Sequence, residues 1–236
     1  MKVVVGFLHR ADSIAPLFRK SLTMLLVRDA RTKQRIIGEL DQESSANISA
    51  GRCNVVQRFL DHPDKPHWLW MVDSDMTFAP DILDRLLLAG DPRAKPIVGG
   101  LCFGVRPVKV NGVEQFNGCY GTRLEAFPTL FKPSEDGAMV HWWDYPRDTV
   151  VPVFTTGAAC LLMHRDMLAD KRWKADGHPL PWFRETVVNG RVMSEDHFFC
   201  IRAGSLGYPI HVDTGAKTGH VKPVVIDEDW FDEHRP

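Results

Sequence analysis

The first hundred residues alternate between short apolar runs and stretches of helical spacing, and this alternation restricts the fold more than any other property of the chain. Val3 to Leu8 reads as a strand, and Ala15 to Val27 has helical spacing with Pro16 in its first turn. Arg35-Ile-Ile-Gly-Glu-Leu40 is a short second strand. Asn47 to Leu60 follows as a helix whose apolar positions are Ile48, Val55, Val56, Phe59 and Leu60. Trp68 to Val72 is a third strand, Asp81 to Ala89 a helix set between Pro80 and Gly90, and Pro96 to Phe103 a fourth strand. Strands that alternate with helices predict an α/β fold in which a mostly parallel sheet is covered on both faces.

From Gly104 to about Pro152 the pattern loosens into a stretch rich in Gly, Pro and aromatic residues, where Trp142-Trp143 stands beside His141, Asp144 and Tyr145. Order returns with a strand-like segment from Val153 to Met163, helical spacing from His197 to Leu206 and a short final strand from Gly207 to Val212. At 236 residues and 44% hydrophobic content the chain can bury a proper core, so a single domain with a loop-rich insertion is expected. The 29 basic and 30 acidic residues nearly cancel, which leaves no global electrostatic footprint for nucleic acid or membrane. No stretch approaches the roughly 20 apolar residues of a membrane span, and the opening run is too short for a signal peptide, with Arg10 and Asp12 directly behind it. The 5 cysteines form no Cys-x-x-Cys pair, and Cys102, Cys160 and Cys200 sit in apolar surroundings as small buried hydrophobes. A reduced, cytoplasmic protein without a membrane span is the expectation.

Chemistry concentrates where the third strand stops. Trp68-Leu-Trp-Met-Val ends abruptly in Asp73-Ser-Asp75, two carboxylates separated by one residue. Open α/β sheets place ligands at the carboxyl ends of their strands. Carboxylates there are costly to bury without a cation or hydrogen-bond donors. A Mg²⁺ or Mn²⁺ shared with a diphosphate would meet that need, since hard cations take oxygen ligands. The competing reading is a strand followed by a helix cap, with Asp75 or Thr77 as the cap.

Taken in order, Asp73-Ser-Asp75, Thr156-Gly157-Ala-Ala, Ser194-Glu195-Asp196 and the late Gly219-His220 resemble the GT-A class of nucleotide-sugar glycosyltransferases, family 2 above all. The likeness runs from the first strand to about Lys222 and is weakest between Gly104 and Pro152. It implies a GT-A, Rossmann-like sheet in one domain, with residues 1–103 as the nucleotide-binding half and 104–236 as the acceptor-binding half. It also implies Mn²⁺ or Mg²⁺ as cofactor and a nucleotide-sugar donor, UDP- or GDP-linked.

By the same resemblance, Asp75 would ligate the metal, and Asp73 would contact the ribose or a metal-bound water. His220 would supply a further metal or pyrophosphate contact, its alternative being a solvated tail residue, and Lys222 would neutralise phosphate as a point charge. Asp196 would be the general base that takes the proton of the acceptor hydroxyl in an inverting displacement, with Glu195 orienting the acceptor; a retaining outcome is the alternative, since retaining GT-A families present similar motifs. Ser194 as a helix cap with acids favoured by the dipole competes with that role, and both can hold together. Arg52 and Asn54 lie on the helix before the third strand, where they would face the nucleotide; an exposed helical Arg is the alternative. His9, Arg10 and Asp12 end the first strand near the expected nucleobase position, and Gly157 would let backbone approach the sugar or acceptor. Trp142 and Trp143 would form an apolar acceptor platform, or else serve as ordinary core and loop anchors.

The chain departs from the family where the base is read. It lacks the Pro-Thr-Tyr-like end of the first strand, and its second strand ends in Glu39-Leu40-Asp41 instead of an Asp-rich turn. Base, sugar and acceptor therefore stay open, the acceptor being a glycan, a protein, a small molecule or a modified DNA base. Two rivals remain. Asp73-Ser-Asp75-Met-Thr77 also fits the nucleophile loop of haloacid-dehalogenase-type phosphatases, with Asp73 attacking phosphorus, although that loop normally follows the first strand. A non-catalytic nucleotide-sugar-binding relative is the other.

Overall fold

A computed structural model describes residues 1–10, 14–44, 47–107, 109–110, 113–114, 116–117, 121–122, 124–135, 139–188 and 190–222. Asp12 and Cys119 lie outside the described residues. The opening alternation folds as β1 (Val3–His9), α1 (Pro16–Thr32), β2 (Ile36–Glu43), α2 (Ile48–Asp61), β3 (Trp68–Val72), β4 (Met76–Phe78), α3 (Ile82–Ala89) and β5 (Ile97–Leu101). Strands β1, β2 and β3 pair in parallel. Across the central sheet the order is Val150–Val153, Ile210–His220, β5, Cys160–His164, β3, β1, β2. The result is the expected mostly parallel sheet flanked by helices.

Alternate residues of the strands feed two cores, as the pleat requires. Val4, Leu69, Met71, Leu161 and Met163 face α2, α4 (Arg165–Leu168) and α5 (Glu195–Ser205). Val3, Val5, Trp70, Val72 and Leu162 face α1 and α3. On the first side Trp173 and Phe183 stack on Phe199, with ring centres 5.4 and 4.5 Å away, and fix α5 against the sheet. That contact decides where Glu195 and Asp196 can sit. Helix α2 approaches β1 closely: a Cβ on Gly51 would fall 2.2 Å from Leu8 Cδ2, so glycine at this position lets the neighbouring Arg52 reach the end of the sheet.

Strand β4 is not among the expected elements, β2 runs past Leu40 to Glu43 and β5 stops at Leu101, short of Phe103; three further differences have a cause in the contacts. Helix α1 runs past Val27 to Thr32 because buried Asp29 ties it to β2, accepting from the amides of Arg35 and Ile36 at 2.7 and 2.9 Å and from Arg35 Nε at 3.1 Å. The run from Val153 to Met163 is broken into Val150–Val153, Thr155–Thr156 and Cys160–His164. Its last piece runs antiparallel to both β3 and β5, a reversal that a continuous apolar run cannot reveal. The final strand does not stop at Val212 but continues to His220, shifting register between Asp213 and Lys217 and then pairing with β4. Its second part is polar, which hid it.

The loosened stretch contains short antiparallel pairs where it is described: Phe103–Pro107 with Leu124–Pro128, and Leu130–Pro133 with Met139–His141 and Thr155–Thr156. Cys53, Cys102, Cys160 and Cys200 are buried free thiols. Among the described residues, no helix is long and apolar enough to cross a membrane.

Candidate active site

The acidic turn follows β3 directly. The Asp73 amide donates to the Ala159 carbonyl at 3.0 Å and the Met76 amide to the Asp73 carbonyl at 3.1 Å, which turns the chain into β4. Beside β4 runs the end of the last strand, with Thr218, Gly219 and His220 opposite Phe78, Thr77 and Met76. A Cβ on Gly219 would lie 2.5 Å from Thr77 Oγ1, so only glycine allows this pairing undistorted. The pairing delivers His220 to the acids. Its Nε2 lies 2.9 Å from Asp75 Oδ2 and its Nδ1 2.8 Å from the Phe103 carbonyl oxygen. A carbonyl only accepts, so Nδ1 carries a hydrogen and Nε2 is the atom turned to the carboxylate.

Lys222 Nζ donates to the same Asp75 oxygen at 2.8 Å. Burial would raise the Asp75 carboxyl, but the hydrogen bonds and charges of His220 and Lys222 outweigh it and hold the group at about 2. The hydrogen bond that His220 donates to Asp75 in turn raises the histidine, against the opposing effect of burial.

Arg52 occupies the centre of a second cluster. Far from being an exposed helical arginine, its side chain is 6% exposed. Nη2 donates to both Asp73 oxygens at 2.9 and 3.3 Å, and Nη1 donates to the Ala158 carbonyl at 2.9 Å. Nε lies 3.4 Å from Glu195 Oε1, close enough for an ion pair but without hydrogen-bond alignment. Burial lifts both acids above their ordinary range, Arg52 opposes this, and the other carboxylates add to it, Asp75 and Asp196 for Asp73 and Asp196 and Asp73 for Glu195.

Ser194 stands at the start of α5 but makes no side-chain cap. Its hydroxyl donates to Asp196 Oδ1, which also accepts the His197 amide at 2.7 Å. Both bonds fall on the same oxygen. The acids occupy the first helical turn, where the dipole favours them.

Leu8, His9, Arg10, Ser44, Ile48, Arg52, Asp73, Ser74, Asp75 and Lys222 line a cleft of about 550 Å³. His9 and Arg10 therefore line the same cleft as the acidic turn. Asn54 is not. It lines a separate cavity with Gln57, Lys174 and Trp182. Residues two apart on an α-helix point about 200° apart, so Arg52 and Asn54 cannot face one ligand. Gly157 meets only ordinary contacts, 3.4 Å from Thr129, and the adjacent Ala158 carbonyl seats Arg52.

Trp142 packs partly buried against the Leu101, Leu130 and Tyr145 cluster, while Trp143 is 52% exposed. Sequence reasoning missed the rings that join this region to Asp196. His141 lies 5.6 Å from Trp143 and 4.6 Å from Phe131, which lies 4.6 Å from His197 (ring centres). His197 directly follows Asp196 in the chain, a signal that was present in the sequence. Its Nδ1 is buried without a partner among the described residues.

No group of three or more His, Cys, Asp or Glu poised to hold a metal occurs among the described residues. Asp75 and His220 are the pair whose chemistry would suit a divalent cation: the Phe103 carbonyl holds Nδ1–H, so Nε2 is the nitrogen that a cation would take, in place of the proton it donates to Asp75.

No family model matches the chain, and no curated protein does. Among solved structures, the crystal structure of A197 from STIV superposes with a TM-score of 0.56 at 13% identity, covering 94% of this chain and 87% of that one. That likeness shows a shared fold. A glycosyltransferase involved in the glycosylation of the major capsid of PBCV-1 overlaps more loosely, with a TM-score of 0.39, 12% identity and coverage of 77% and 69%.

Proposed function

We propose that the chain is a GT-A-type glycosyltransferase that moves a sugar from a nucleotide-sugar donor to an acceptor hydroxyl. One observation carries this reading: Asp75, His220 and Lys222 meet at the carboxyl end of β3, and Arg52 joins the adjacent Asp73 to the acids that open α5. A diphosphate in the cleft would find cationic Lys222 and Arg10 and the Asp75–His220 ligand pair. Asp75 and His220 would hold Mn²⁺ or Mg²⁺, which would offset the charge developing on the leaving diphosphate.

Asp73 would accept from a donor hydroxyl, and Lys222 would neutralise phosphate. Asp196 is the proposed base. Its Oδ1 is engaged by Ser194 and the His197 amide, which orients the carboxylate and directs Oδ2 to the acceptor proton. Attack by the deprotonating hydroxyl on the side opposite the diphosphate would invert the anomeric centre. On this reading the donor nucleotide is UDP or GDP, and the acceptor is a glycan, a protein, a small molecule or a modified DNA base. The phosphatase alternative finds less support, because both oxygens of its nucleophile, Asp73, face Arg52.

The test is thermal stability against nucleoside diphosphates and nucleotide sugars, each with and without Mn²⁺. A ligand that binds only the native state raises Tm by mass action, by about 2.7 kcal/mol of stability at a hundredfold excess over Kd. The expected result is a Mn²⁺-dependent rise with one nucleotide that Asp75→Asn abolishes. A folded protein that responds to none of them would remove the donor from the reading.

A further inference from the structure

Arg52 is the only group described above that touches both ends of the proposed reaction. It is anchored from three sides: the Ala158 carbonyl at 2.9 Å, Met71 Sδ at 3.7 Å and the face of Phe183, 5.8 Å from its ring centre. None of these partners carries charge, so they hold the guanidinium in place without neutralising it. Its ion pairs are with Asp73, on the turn after β3, and Glu195, on the first turn of α5, while Asp196 attracts it more weakly without an ion pair. The two paired carboxylates are far apart in sequence and belong to separate elements. Each is partly desolvated, and each has Asp196 as a repelling neighbour.

We propose that Arg52 is a positioning residue that couples the donor side of the site to the acceptor side, through one buried guanidinium shared by Asp73 and Glu195. Assigning those sides rests on the function proposed above; the coupling itself does not. A buried guanidinium needs at least one carboxylate, and stranding a buried charge is far more costly than weakening a pair. With Arg52 present, either acid alone suffices, so removing one is mild and removing both is severe. Without Arg52, the two acids have no shared cation, and neutralising them relieves repulsion.

The test is urea unfolding at pH 7 of Asp73→Asn, Glu195→Gln, the double variant, and the triple variant that adds Arg52→Met. The double variant should lower the unfolding midpoint by more than the sum of the singles. The triple variant, further from wild type by one substitution, should regain part of that loss. An additive double variant, or a triple variant less stable than the double, would overturn the coupling. Because no nucleotide enters this cycle, it judges the coupling even if the donor panel finds no ligand. Arg52→Lys adds the kinetic arm: a compact ammonium engages one acid at a time, so kcat should fall at least tenfold while Tm stays within a few degrees of wild type. Wild-type kcat in Arg52→Lys would show that the shared fork positions nothing for transfer.

Discussion

The Asp75 cluster makes a quantitative prediction that needs no substrate. Asp75 is held at about 2 against an ordinary 3.8, which at full value is worth about 2 kcal/mol. Its side chain is 39% exposed, so solvent screening reduces the contribution to about 1 kcal/mol. The folded-state value is depressed, so this stability is fully present above 3.8 and is lost as pH falls through the folded value. His220 has the opposite sign: its value is raised, so its share is complete below 6.5 and declines as pH rises through the folded value. Together they predict a plateau of maximal benefit between about pH 4 and 6.5, with Lys222 retaining part of it at higher pH. Urea unfolding with EDTA present, from pH 2 to 8, compares wild type with Asp75→Asn. Wild type should be about 1 kcal/mol more stable on the plateau, equivalent to 2–4 °C in Tm for a chain of this size, and the advantage should vanish towards pH 2. Parallel profiles for the two proteins between pH 2 and 5 would refute the ion-pair reasoning.

Other outcomes follow from the same geometry. Asp196→Asn should lower the transfer rate by about 10²–10⁴ while leaving the nucleotide-induced rise in Tm intact, and an unchanged rate would remove Asp196 as base. Gly219→Ala should destabilise by about 1–3 kcal/mol, since its Cβ would meet Thr77 Oγ1 at 2.5 Å. Adding Thr77→Ala should recover part of that loss. Asn54→Ala, on the far face of α2, should change nucleotide affinity less than twofold; a tenfold loss by calorimetry would contradict the placement.

Much of the first half was legible because local signals and tertiary outcome agree there. Pro16, Pro80 and Gly90 mark helix ends, and five-residue buried runs such as Trp68–Val72 leave little choice but a central strand. What could not be read depended on contacts distant in sequence. Nothing local says that the Cys160–His164 strand inserts antiparallel between β3 and β5, or that Asp29 holds α1 together beyond Val27. The polar run from Thr214 to His220 carries no strand periodicity, because its place is set by pairing with β5 and then β4. The acidic turn was visible as a motif, yet its partners were not. Arg52 reads locally as a surface arginine, and only the close approach at Gly51 and the seat formed by Ala158 and Phe183 make it a buried one. Asn54 is the converse case: the resemblance sets it beside Arg52, whereas the helical turn puts it in a separate cavity.

The long last strand has a consequence for assembly. It is bonded to β5 at one end and to β4 at the other, and it presents His220 to Asp75 where it finishes. The sheet's most non-local pairing and the completion of the cluster are therefore one event. Contacts that close such long loops form slowly, because loop entropy is lost before they reward it. Partly folded chains would then hold the acidic turn without its histidine, incapable of presenting the proposed cation site. In the native protein, the amides flanking His220 should exchange with deuterium on the slow timescale of the sheet rather than that of a surface tail.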